Sequence, residues 1–466
     1  MSRINTNVNS LVAQRVLRNN NEQLNASLKR LSTGLKINSG ADNPAGLIAS
    51  ENLRAEKTGI MAAMSNAERA GNIVATAEGG LAEVSSLLNE LQGLVNETAN
   101  SGGLSQEEIE ANQLQVDAIL NTVNRLAGSV TFQGKKLLNG ELGYTTSGTN
   151  LSAVSNMRIH SARMADGATQ NVTVAITGSA QTGLATYTSG GAHTDAFTLE
   201  IAGEHGTEQF SFLSSVDNAG IAAAVNALKD VTGVSAATSG NVLKFSSTDY
   251  GSDAFVSVTT ISGTSGITDT KDYGQDATVT VNGAAADTDG LSVKFRNSNL
   301  DIEFDLNLNM GATAVTKQFA VTGGGATFSL GSKVTETDKA SLGIGSVSTG
   351  SLGLDGNFLS SLASGGSNSL TSDNLVTAQR VVDEAVKQVS QTRGRLGAFQ
   401  KFVINSTVNQ LGVAYENASA AESAIRDTDF AFETAQLTRA QILAQASTNV
   451  LAQANSQPQL ALQLLG

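Results

Sequence analysis

The chain has 466 residues, a net charge of −13, no Cys, no Trp, 2 Pro and 47 Gly. The lack of Cys excludes disulfides, thiolate nucleophiles and zinc sites of the Cys type, and the acidic balance argues against nucleic acid as the main partner, because phosphate binding needs a basic stripe. With aromatics at 4%, cores have to be built from Leu, Ile, Val and Ala.

The opening residues, MSRINTNVNSLVAQRV, carry neither the apolar region nor the small-residue cleavage site of a secretory signal peptide. No run approaches the roughly 18 apolar residues that span a bilayer, so no membrane insertion is expected. From Asn5 to about Gly140 the apolar positions fall at helical spacing. Leu17, Leu24, Leu28, Leu31 and Leu35 read as successive a and d positions, preceded by Ile4, Val8, Leu11 and Val12. The pattern breaks once, at NSGADNPAGL, where Gly40, Asn43, Pro44 and Gly46 predict a structured turn. Beyond it about 50 residues can run as one helix, roughly 75 Å long. SGGLS ends that helix, and Ser105 with Glu108 forms a capping-box pattern for another that runs to about Leu126.

In the middle block the period changes from 3.6 to 2. Residues 171–176, 196–203, 241–247, 254–261, 277–283, 291–297 and 300–308 alternate apolar with Thr, Ser and charge, which predicts half-buried strands between Gly, Asn and Asp turns. A short helix is expected at about Ala219–Leu228. The three His residues, His160, His193 and His205, all lie here, and His193 and His205 read as solvated turn residues. GGGATFSLGS lies between strand patterns and reads as a turn, not a phosphate cradle. There is no HExxH, GxSxG, Walker loop or CxxC. No catalytic residue, cofactor or metal site is expected.

The helical period returns from about Thr371. Arg439 is the last charged residue, and after it Ile442, Leu443, Ala446, Val450 and Leu451 mirror the N-terminal stripe. Residues 1–40 carry six cations against Glu22, whereas residues 415–466 carry five acids against Arg426 and Arg439. Opposite signs favour the two ends lying side by side. Two thin helices cannot bury each other on every side, so the remaining apolar surface implies contacts with other copies. The expected class is α+β: a long antiparallel helical rod or coiled coil built from both chain ends, with an inserted β-rich outer region.

INTNVNSLVAQRVL with LNASLKRLSTGLKINSGADNPAGLIASENLRAE resembles the N-terminal signature of bacterial flagellin, and LTRAQILAQASTNVLAQANSQPQLALQLL resembles its C-terminal signature. Residues 232–258 also resemble a short insertion motif of flagellins and hook-associated proteins. The resemblance implies a subunit of the extracellular flagellar filament, used for motility and exported unfolded through the flagellar type III apparatus. It implies an inner coiled-coil domain from 1–45 with 420–466, a helical rod from 46–140 with 371–419, and a surface block from 141–370. The residues it singles out for self-assembly are Leu17, Leu24, Leu28, Leu31, Leu35, Asn43, Pro44, Ile442, Leu443, Val450 and Leu451. The implied partners are further copies, an export chaperone on the C-terminal segment, a filament cap and hook-associated junction proteins. The alternatives are a hook-associated junction protein, or a flagellin with an adhesive surface domain. Flagellins that trigger the vertebrate Toll-like receptor share a rod-helix stretch matched here by NELQGLVNE. Leu94 fits it, but Glu90 replaces an arginine and Glu97 a glutamine, which predicts weak or absent receptor activation.

Overall fold

The computed structural model describes residues 6–100, 103–148, 154–164, 168–188, 193–307, 316–354, 356–372 and 374–463. Ile4 and the end of the strand expected at 300–308 lie outside them. Helix α1 (Val8–Thr33) starts where the Asn7 side chain accepts from the Ser10 amide, and stops at Gly34, whose φ of 72° favours a residue without Cβ. Helix α2 (Pro44–Thr98) is 55 residues long. Asn43 accepts from the Gly46 amide at 3.0 Å, and Pro44, lacking an N–H, occupies the first helical position. Along α2, Ile60, Ala63, Ala67, Ala70, Val74, Ala77, Leu81, Val84, Leu88, Leu91 and Val95 are all buried. Their alternating spacing of three and four residues is a coiled-coil seam. Helix α3 (Gln106–Ser129) opens with the expected Ser105–Glu108 capping box.

The chain resolves into two compact units: residues 1–67, 330–333 and 406–466 form one, and 68–329 with 334–405 the other. In the first, Ile60 and Ala63 pack with Leu411, flanked by Met64, Ala414 and Tyr415.

The second unit holds the β-rich block, and that block has two separate cores, one nested in the other. Short strands β1 (Thr131–Phe132) and β2 (Lys135–Lys136) form a hairpin. The outer core draws on β3 (Tyr144–Ser147), β4 (Val154–Ala162) and β5 (Gln170–Gly178), and the chain then leaves it. The nested core is built from β6 (Leu184–Thr188), β7 (Phe197–Gly203), β8 (Thr207–Phe212), α4 (Asn218–Ala227), α5 (Lys229–Thr232), β9 (Val234–Ser239), β10 (Val242–Ser247), β11 (Phe255–Gly263) and β12 (Thr270–Tyr273). Its sheets run β12-β11-β7-β8 and β6-β10-β9 around Leu199, Ile201, Ile221, Leu243, Phe245 and Val256. The chain then returns with β13 (Thr278–Val281), β14 (Ala284–Ala285), β15 (Asp287–Asp289), β16 (Ser292–Arg296), β17 (Leu300–Leu306) and β18 (Thr316–Gly324). These complete the outer core's sheets, β14-β13-β5-β18-β3 and β15-β16-β17-β4, around Val172, Val279, Val293, Phe304 and Val321.

β19 (Ala326–Ser329) and β20 (Lys339–Leu342) pair with each other, as do β21 (Gly353–Leu354) and β22 (Asn357–Phe358). After β20 the chain packs on helices. Gln113 of α3 donates to the Leu362 carbonyl and accepts from the Leu370 amide, while Gln388 of helix α6 (Leu375–Ala398) donates to the Gly353 carbonyl. Residues 344–370, expected in the surface block, therefore pack on α3 and α6: their buried Ile344, Val347, Leu352, Leu359, Leu362 and Leu370 are too few to form a core of their own. After α6 the helix continues as a π-helical segment, Phe399–Ile404, then as α7 (Asn405–Arg426), and the chain ends in α8 (Phe430–Gln463).

Two histidines differ from expectation. His193 is buried, because its loop folds back on an aromatic cluster in which its ring stacks on Tyr187 at 5.9 Å and tilts against Phe197 at 4.9 Å. His205 places Nε2 3.1 Å from Asp249 Oδ2.

Candidate assembly surface

The two chain ends meet as an antiparallel pair. On α1 the inward positions are Ser10, Ala13, Leu17, Asn20, Leu24, Ser27 and Leu31, and on α8 they are Glu433, Leu437, Ala440, Ala444, Ser447, Leu451 and Ala454. Both sets step by three and four residues, as a coiled-coil seam requires. Hydrogen bonds fix the register: Asn7 Nδ2 to the Ala454 carbonyl at 2.8 Å, Ser10 Oγ to Asn455 Oδ1 at 2.7 Å, and Asn20 Nδ2 to Ser447 Oγ at 2.6 Å. Asn20 Nδ2 also reaches the Leu443 carbonyl at 3.3 Å, and Arg30 Nη1 lies 3.7 Å from Glu433 Oε1.

This corrects the position of the stripe. Leu17, Leu24 and Leu31 are half-buried in the seam, but Leu28 is 47% exposed, because Ser27 takes the inward position next to Leu24. Leucine spacing alone places Leu28 in the stripe. The seam alternates leucine with small or amide side chains, and the signal that could have found it is the unbroken spacing of Ser10, Ala13, Leu17, Asn20 and Leu24. On α8 only Leu451 of the four predicted residues lies in the seam; Ile442, Leu443 and Val450 are exposed at 64%, 39% and 58%. Val8, Leu11, Val12 and Val16 on α1, and Phe430 and Phe432 on α8, are exposed with them. The first unit thus carries two apolar faces that its own helices leave open.

The turn between α1 and α2 is tied to the α7–α8 connection. Leu35 bridges Asp427, the Lys36 amide donates to the Arg426 carbonyl at 2.7 Å, and the Thr428 amide to the Gly34 carbonyl at 2.9 Å. Inside the turn the Asp42 carboxylate accepts from the Asn38 amide, the Ser39 hydroxyl and the Ser39 amide, which hold its pKa below the ordinary value. Gly46 approaches the Ile37 side chain so closely that a Cβ would lie 2.6 Å from Ile37 Cδ1. Charge pairs stitch α2 to α7: Lys57 to Glu422 at 2.9 Å and Arg426 to Glu51 at 3.0 Å.

Of the receptor-segment residues, Glu90 and Glu97 are exposed. Leu94 is 8% exposed and belongs to the helix core, so in this fold it is a packing residue rather than a contact residue.

The second unit contains a charged clasp whose members are far apart in sequence. Arg395 of α6 donates through Nη2 to Glu303 Oε2 of β17 at 2.9 Å, and its Nη1 lies 3.1 Å from His160 Nδ1 of β4. The arginine's donors leave Nδ1 as the acceptor, so the ring is neutral with its proton on Nε2. His160 Nε2 is 3.5 Å from Glu303 Oε2, too long for a strong hydrogen bond, which makes Arg395 the firmer hold on the carboxylate. Hydrogen bonding from His160 and from Arg395, with the arginine's charge, outweighs burial and holds the Glu303 pKa at about 2. Burial pushes the His160 pKa down and the Asp305 pKa up.

A chain whose two ends pair through a thin seam, keep apolar faces open, and enclose β modules with their own cores is a self-assembling structural subunit. The bacterial flagellin N-terminal helical region matches residues 4–142, and the bacterial flagellin C-terminal helical region matches residues 380–465. Flagellin B of Vibrio cholerae is 31% identical over 466 residues, covering 99% of each chain. Polar flagellin F of Vibrio parahaemolyticus is 28% identical over 472 residues, again covering 99% of each chain. Among solved structures, FliC from Burkholderia pseudomallei aligns with 71% of this chain and 98% of its own at 15% identity, with a TM-score of 0.24. The chain belongs to the bacterial flagellin family. It is a structural subunit of the extracellular flagellar filament.

Proposed function

We propose that the filament forms through the open faces of the α1–α8 pair, with residues 1–45 and 420–466 as the inner domain, 46–140 and 371–419 as the rod, and most of 141–370 at the surface. The observation that carries this is the exposure of Val8, Leu11, Val12, Val16, Leu28, Ile442 and Val450 on two helices that pack against each other. An apolar area of that kind favours association. Leu17, Leu24, Leu31, Leu35 and Leu451 act one step earlier, by pairing the helices, and Asn43 and Pro44 by starting α2. Passage through the export apparatus, an export chaperone on the uncharged C-terminal segment, and docking to a filament cap and junction proteins belong to the same reading. Truncation before Ala440 tests it: the second unit keeps its thermal transition while polymerisation is lost. Normal filaments from the truncated chain would refute the assignment.

A further inference from the structure

Where the π-helical segment Phe399–Ile404 meets the outer β module, an open groove of about 500 Å³ runs between α6, β20 and the tips of β4 and β17. The wider π turn presents Phe402, 67% exposed, above half-buried Phe399 and Val403. Arg163, Arg296 and Arg395 line the groove. Arg296 and Arg395 are engaged by Asp301 and Glu303, whereas the Arg163 guanidinium, among the described residues, donates to the Thr337 carbonyl at 3.4 Å and faces no carboxylate within salt-bridge distance. The exposed Lys401 adjoins Phe402. On a chain of net charge −13 this is a local basic and apolar surface.

Helix α3 carries its complement. Glu107, Glu110 and Leu114 are all exposed, Leu114 by 68%, and their spacing of three and four residues puts them on one stripe. That stripe cannot reach the groove of its own chain. Gln113 is bonded to the Leu370 amide, just before α6 begins at Leu375, and the groove lies past the far end of α6. At 1.5 Å per residue the separation is roughly 35 Å.

We propose that the α3 stripe Glu107–Glu110–Leu114 of one subunit docks into the Arg163–Phe402 groove of a second copy, with Leu114 against Phe402 and the glutamates facing Arg163 and Lys401. Donor and acceptor surfaces lie at opposite ends of α6, so the contact is heterologous: each copy offers both halves, and repetition produces an open chain of subunits. This supplies a lengthwise contact separate from the apolar faces of the terminal helices, and it rests on the filament role.

Because the chain has no Cys, the test is clean. A protein carrying Leu114→Cys and Phe402→Cys, assembled and treated with a short bis-maleimide, yields a ladder of covalent dimers, trimers and longer species. The single-cysteine proteins stop short of a ladder, and the dilute monomer forms no internal link. Filaments visible by electron microscopy without a ladder overturn the docking while leaving the filament role intact, and an internal link in the monomer overturns it too. A second arm uses charge. Arg163→Glu and Glu110→Lys each slow seeded growth about tenfold at low salt, their combination restores it, and high salt erases the difference. Wild-type growth by both single variants, or no rescue in the pair, overturns the proposal; failure of the unmodified chain to elongate at all would instead count against the filament role.

Discussion

At Glu303 the local chemistry sets a pH limit on how the outer β module is held to α6. Its folded pKa of about 2 lies below the ordinary 4.5, so its contribution is complete above pH 4.5 and is lost as pH falls toward 2. His160 adds to this: burial depresses its pKa from 6.5, which makes protonation below that pH unfavourable to the fold. Asp305 opposes both, since burial raises its pKa and acid relieves the cost of its charge. Glu303→Gln should lower stability at neutral pH by on the order of 2 kcal/mol, and should flatten the fall in melting temperature between pH 4.5 and 2. Calorimetric scans across pH check both effects, and parallel wild-type and variant curves would show that the carboxylate does not hold the clasp. Glu90 is exposed on α2. The resemblance to receptor-activating flagellins implies an arginine at this place, so a glutamate here would present the opposite sign to the receptor. A reporter-cell assay should find weak signalling from the wild type and a gain with Glu90→Arg. Potent wild-type signalling would end that reading.

Two helical seams with the same spacing differ sharply in what they bury. The α2 seam is apolar throughout, from Ile60 to Val95, whereas the α1–α8 seam alternates leucine with Ser10, Asn20, Ser27, Ser447 and alanines. At roughly 25 cal/mol per Å² of apolar area the second seam contributes far less per turn, and its amide bonds add register rather than much free energy. Hydrogen exchange should therefore find the amides of α1 and α8 poorly protected in the monomer and strongly protected in the filament, with those of α2 between Leu81 and Leu91 slow in both. Equal protection of α1 in the two states would mean that the pair is stable alone. The same contrast explains what the sequence made legible. The α2 helix, the capping box and the strands with clean alternation, such as Phe197–Gly203 and Leu300–Leu306, follow from local pattern. Strand β4 was missed because Arg158 and His160 interrupt its apolar pattern, and His160 reaches the Glu303 and Arg395 side chains that complete the clasp. Those partners lie more than a hundred residues away in sequence, beyond what local periodicity can reveal. The open apolar faces were legible as an excess of apolar residues, but which leucines turned inward was not.

At the scale of the whole molecule, the nesting of one β core inside another makes a sharp cut available. The chain leaves the outer module at Gln181 and re-enters it at Gln275, and the two residues are bridged in both directions: the Gln181 amide donates to the Gln275 carbonyl at 2.8 Å and the Gln275 amide to the Gln181 carbonyl at 2.9 Å. Among the described residues, those between Ala185 and Ile267 supply the buried side chains of the nested core, and the outer core draws its buried side chains from 154–180 and 277–321, with Tyr250 of the inserted stretch packed against it. A domain whose termini lie close together and whose core is its own folds as an insert. Replacing residues 182–274 with a short Gly-Ser linker should leave the outer core, the clasp and polymerisation intact, while residues 182–274 expressed alone should melt cooperatively. The clasp supports the first half of this expectation, since His160, Glu303 and Arg395 all lie outside the excised stretch. Electron microscopy of the excised protein and a melting curve of the isolated module decide the matter. Loss of filaments from an excised chain that still shows the outer module's own transition would mean that the nested module carries contacts between subunits. Unfolding of the outer module itself would mean that the two cores are one cooperative body, joined through the bridge between Gln181 and Gln275.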